Sequence, residues 1–153
     1  MARLLGASLL FGCGCEGGGG DGENVASAFD CADEDRAEPF TIGLTKAGEI
    51  VDVSFVVATP APPGKTDNSW RVLVVDKMGT PVEGVEIVVM PMMPDHGHGT
   101  TKDPVVTAVA GVLGQYDMSP VALHMSGYWE VTFELSLPDM TSDAVTFKLC
   151  IDR

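Results

Sequence analysis

From residue 50 to residue 151 the apolar side chains recur at every second position, never at the spacing of three or four that an amphipathic helix needs. The clearest case is 128–135, where Tyr128, Glu130, Thr132 and Glu134 alternate with Trp129, Val131, Phe133 and Leu135. Successive side chains of an extended chain point to opposite faces, so such a segment buries one row and wets the other. The same pattern runs through 50–58 (Val51, Val53, Phe55, Val57), 70–76 (Trp70, Val72, Val74), 82–90 (Val85, Ile87, Val89) and 144–151 (Val145, Phe147, Leu149). Shorter β-like runs lie at 40–44, at 105–110, and at 115–118 with an extension towards 123. Between them stand turn formers such as Pro60-Ala61-Pro62-Pro63-Gly64, Lys46-Ala47-Gly48, Lys77-Met78-Gly79-Thr80-Pro81 and Ser126-Gly127, with Thr66-Asp67-Asn68-Ser69 as a polar loop. Seven to eight short strands so punctuated specify an all-β fold, an immunoglobulin-like antiparallel β-sandwich. Trp70, Trp129 and Phe133 are its expected core anchors.

Ahead of the strands the chain reads as an address followed by a tether. Residues 4–11 form an apolar run behind the single cation Arg3, too short to span a bilayer. Leu10-Phe11-Gly12-Cys13 resembles the lipobox of bacterial lipoproteins, whose cysteine becomes the lipidated first residue after cleavage. That resemblance implies a signal peptide over 1–12, a lipid on Cys13 with Cys15 as the alternative acceptor, and a place on the periplasmic face of the outer membrane. A secretory signal without lipid is the competing reading. Glu16-Gly17-Gly18-Gly19-Gly20-Asp21-Gly22-Glu23 cannot bury anything, so 13–39 is expected as a tether and 40–153 as the folded domain. Residues 24–39 are polar and acidic and read as an irregular lead-in tied down by Cys31. Cys31 and Cys150 bracket the domain and read as a disulfide in an oxidising compartment, with a bridge from Cys15 as the alternative. A formal net charge of −13 leaves no basic surface for nucleic acid.

The chemistry is concentrated in Met90-Pro91-Met92-Met93-Pro94-Asp95-His96-Gly97-His98-Gly99, which reads as a connection at one sheet end. Imidazole and thioether together favour copper over zinc or calcium. His96 and His98, two apart in extended chain, can project to one side. Met93, with Met125 beside His124 in a second patch, can add soft ligands if both patches share one end of the sandwich. The competing reading is structural, with histidines fixing a turn and methionines filling the core. No nucleophile elbow, phosphate loop, dinucleotide fingerprint or zinc-protease motif is present, so catalysis is not expected.

Four segments in order also resemble the YtkA-like domain, related to the FixH family. They are Asn68-Ser69-Trp70-Arg71-Val72, Met93-Pro94-Asp95-His96-Gly97-His98-Gly99, Gly114-Gln115-Tyr116 and Met125-Ser126-Gly127-Tyr128-Trp129-Glu130-Val131. The resemblance spans 50–150 and implies a small extracytoplasmic β-sandwich. FixH relatives are linked to copper supply for terminal oxidases and to cation pumps. Two functions are therefore expected in competition: copper binding through the His/Met loop, or a structural module that docks a periplasmic protein through its end loops.

Overall fold

The computed structural model describes residues 29–152. After a 3-10 turn at Cys31–Asp33 come nine strands: β1 (Thr45–Ala47), β2 (Val51–Thr59), β3 (Asp67–Asp76), β4 (Glu86–Met93), β5 (His98–Gly99), β6 (Val105–Ala108), β7 (Gln115–Ala122), β8 (Gly127–Ser136) and β9 (Ser142–Ile151). They form two antiparallel sheets, one ordered β1-β2-β3-β7-β6 and the other β5-β4-β8-β9. This is the expected sandwich, with the two-residue β5 raising the strand count above eight.

The core lies between the sheets, where the alternating rows meet. Phe55 stands edge-on to Trp70 at 5.2 Å and to Phe147 at 4.6 Å, and Phe133 packs on Phe147 at 5.3 Å. Trp70, Trp129 and Phe133 are fully buried, as expected. The alternation fails at Tyr128, which is buried beside Trp129, and at Val57, which is exposed. A β-bulge between Phe55 and Val57 inserts an extra residue, and the rows exchange faces beyond it.

Several segments depart from the sequence reading. The β-like run 40–44 holds no strand and turns at Ile42-Gly43, with Leu44 N donating to Thr41 O at 3.0 Å. Thr45–Ala47 is a strand rather than part of a turn, because it pairs with Asp52–Ser54. Residues 67–69 belong to β3 rather than to a polar loop. Asn68 there is fully buried, its Oδ1 accepting from Gly64 N and its Nδ2 donating to the carbonyls of Gly64, Thr66 and Val121. β4 continues to Met93, through Pro91. The Pro91 carbonyl faces β5, so the missing N–H also lies on the open side of β4, where a proline costs the β4–β8 ladder nothing.

Cys31 and Cys150 form a disulfide with Cα atoms 5.7 Å apart. The bridge belongs to an oxidising, extracytoplasmic compartment. From Cys31 the lead-in runs along the free edge of β9, where Glu38 N donates to Lys148 O at 2.8 Å. Covering that edge removes a row of unpaired backbone groups. The lipobox, Cys13, Cys15 and the glycine run lie outside the described residues. Among the described residues no helix is long and apolar enough to cross a membrane.

Candidate functional site

Strand direction gathers one set of connections at a single end of the sandwich. The start of β3, the β4–β5 hairpin, the β7–β8 connection and the end of β9 meet there. This end therefore carries His96, His98, His124 and Met125 together.

The Met/His stretch is a β-hairpin. Met93 pairs with His98 and Met92 with Gly99, leaving 94–97 as the tip. His96 N and Gly97 N both donate to Met93 O, at 3.2 and 2.9 Å. Gly97 has φ +66, a left-handed conformation that glycine adopts without a Cβ penalty. Gly99 is required sterically, since a Cβ there would lie 2.7 Å from Pro91 O. The turn, rather than the i, i+2 parity of a straight strand, brings the imidazoles together: the ring centroids of His96 and His98 are 5.7 Å apart.

That spacing suits a shared ion. A metal about 2.0 Å from each ring nitrogen lies about 3.2 Å from each centroid, so two rings can span up to about 6.4 Å. His98 Nδ1 is 3.0 Å from Gly99 O. A carbonyl only accepts, so Nδ1 carries the proton and Nε2 keeps its lone pair for a ligand. This is the usual outer support of a metal-bound imidazole. Both histidines are exposed.

The other expected ligands are placed differently. Met93 is 1% exposed, and its Cε lies only 2.6 Å from where a Cβ on Gly127 would stand, so its side chain fills the core. Met125 is exposed, and its carbonyl accepts from Trp129 Nε1 at 3.0 Å. His124 Nε2 donates to Asp67 Oδ1 at 2.8 Å. Lys102 Nζ binds the other Asp67 oxygen at 2.5 Å. Lys102 first, against burial, and then His124 hold the Asp67 carboxyl below its ordinary range. Among the described residues no three His, Cys, Asp or Glu side chains converge into a metal cage. The thioethers of Met90 and Met92 are exposed on the outer face of β4, opposite the face that Met93 shares with its pair partner His98.

One set of contacts had no clear sequence signal. Arg36 of the lead-in grips Asp95 at the hairpin tip and lies over the ring of Tyr128, 4.2 Å from its centroid. The run Asp33-Glu34-Asp35 reads as solvated, yet the Glu34 side chain is almost covered and holds the same guanidinium. The two ends of that contact are 59 residues apart, which no local pattern can register.

Three of the four family segments hold the fold. Tyr116 Oη donates to Val82 O at 2.9 Å and accepts from Val85 N at 3.0 Å, fixing the crossing from β3 to β4. Gly114, at φ +66, lies where a Cβ would meet Val74 O at 2.8 Å. Asn68, Trp70, Gly127 and Trp129 are buried.

Fold and site together define a small extracytoplasmic β-sandwich that exposes a histidine hairpin at its loop end. The YtkA-like family model matches residues 48–134, more than half of the chain, and the chain belongs to that family. Among solved structures it is similar to a DUF4426 family protein from Pseudomonas aeruginosa PAO1, at 13% identity and TM-score 0.46, covering 71% of this chain and 96% of that one. It is also similar to a copper-bound variant of FetP from uropathogenic Escherichia coli strain F11, at 12% identity and TM-score 0.48, covering 76% and 95%. No curated protein matches.

Proposed function

We propose that this protein is a non-catalytic, extracytoplasmic binding module that takes copper between His96 and His98, with Cys13 lipidated to anchor it to the periplasmic face of the outer membrane. The observation that carries the metal reading is the 5.7 Å separation of two exposed imidazoles on one hairpin tip. The proton on His98 Nδ1 supports it, because it leaves the lone pair on Nε2. Two imidazoles form a donor pair for Cu(I), which accepts low coordination numbers. The loop-end residues that could suggest acyl chemistry are otherwise engaged: Ser126 Oγ donates to Asp152 O, and His124 to Asp67.

The test is a Cu(I) titration of the purified protein against a chromogenic chelator. The wild type is expected to compete for one equivalent. A His96→Ala/His98→Ala variant that competes equally well overturns the reading. The alternative, a module that docks an envelope protein, is favoured by one observation: Val88, Met90 and Met92 form an exposed apolar row on β4, whose edge is paired by β5 only at Met92 and Met93. Pull-down of a specific envelope protein that is lost on Val88→Glu and Met90→Glu, with no copper retention, would favour that alternative.

A further inference from the structure

The hairpin that presents the histidines is weakly built. β5 is two residues long and meets β4 in two pairs at a sheet edge. Short edge pairing of this kind opens locally at little free-energy cost. A ligand site made of two imidazoles needs the opposite, since every freely rotating backbone bond in the tip must be frozen when the ion binds.

The restraint comes from elsewhere in the chain. Arg36 Nη1 donates to Asp95 Oδ1 at 2.8 Å and Nη2 to Asp95 Oδ2 at 2.7 Å, a two-pronged contact that fixes both the position and the rotation of the carboxylate. Asp95 is the residue before His96. The guanidinium is held in turn by Glu34, through Nε at 2.8 Å and Nη2 at 2.6 Å, and by the Tyr128 ring beneath it. The stretch that carries Arg36 is anchored on both sides, by the Cys31–Cys150 bridge before it and by Glu38 N donating to Lys148 O after it.

We propose that Arg36 is the positioning residue of the His96/His98 pair, holding the hairpin tip so that the two imidazoles already converge before an ion arrives. This rests on the reading of the hairpin as a metal site. The sign of one substitution separates positioning from plain electrostatics. A guanidinium beside a cation site repels the cation, so removing it tightens binding if charge alone matters. Removing a brace loosens binding.

The experiment pairs a Cu(I) titration against a chelator with amide hydrogen exchange over residues 95–98 of the metal-free protein, in the wild type, Arg36→Ala and Arg36→Lys. Arg36→Ala is expected to weaken Cu(I) binding roughly five- to tenfold and to speed exchange at the His96 and Gly97 amides. Arg36→Lys is expected to restore neither, because one ammonium cannot reproduce the fork. Unchanged or tighter copper binding in Arg36→Ala overturns the proposal, and so does unchanged exchange. His96→Ala/His98→Ala is the reference: a wild type that binds no better than this variant removes the metal reading, while the exchange data still decide whether Arg36 holds the tip.

Discussion

Asn68 is the only buried polar residue among the described ones, and it closes a loop that no strand ladder reaches. Its amide pairs both backbone groups of Gly64 as well as the carbonyls of Thr66 and Val121. Asn68→Ala removes four hydrogen bonds; the Gly64 and Thr66 carbonyls keep their backbone donors, Thr66 N and Leu123 N, so the main cost falls on Gly64 N and Val121 O. We expect a loss of about 2 kcal/mol, read as a lower urea midpoint at unchanged slope. Met93 gives the converse prediction. Its side chain is 1% exposed, so Met93→Leu is expected to cost under about 1.5 kcal/mol and to leave Cu(I) affinity unchanged. A marked drop in affinity would make its sulfur a ligand. Both residues show where sequence reading stops. Polarity marked Asn68 as loop, because a side chain's own hydrogen bonds do not show in the sequence. Sulfur marks Met93 as a ligand, because the two prolines after Met90 read as the end of the strand. Had β4 been continued, Met93 would have fallen on the buried row with Ile87 and Val89.

At the scale of elements, the alternating strands were legible because each is long enough to carry its own period, and the sandwich followed from their number. Short or edge elements were not. β1 and β5 exist only by pairing with β2 and β4, and the bulge in β2 is a property of a ladder, not of one strand. The tie between β9 and the β1–β2 turn is of the same non-local kind. Asp143 accepts from Glu49 N, Ile50 N, Val51 N and Ala144 N. Burial would raise its carboxyl, but these donors, Val51 and Ile50 foremost, outweigh it and hold the group below its ordinary range. A carboxyl depressed in the folded state contributes stability that is present above its unfolded value and lost as pH falls through the folded one. The wild type is therefore expected to lose stability as pH drops below about 4, with Asp143→Asn flattening part of that fall in urea titrations run at several pH values. The disulfide acts over a greater length. It joins positions separated by 119 residues, and the entropic model assigns such a loop about 4–5 kcal/mol. Cys31→Ser/Cys150→Ser is expected to lose that much in urea unfolding.

For the molecule as a whole, the loop end is where the fold tolerates exposed chemistry, because the core is closed beneath it by Met93, Leu123 and Trp129. A ligand held there by the native hairpin and by nothing in the unfolded chain must raise the stability of the entire domain, since folding and binding share one native state. At Cu(I) a hundredfold above its dissociation constant the gain is about 2.7 kcal/mol. For a domain of this size that corresponds to a rise in Tm of roughly 5–10 °C. The shift should grow with the logarithm of free copper and vanish in His96→Ala/His98→Ala. A copper-dependent rise that persists in the double variant would place the ion elsewhere, with Met90 and Met92 on the open face of β4 as the next residues to substitute.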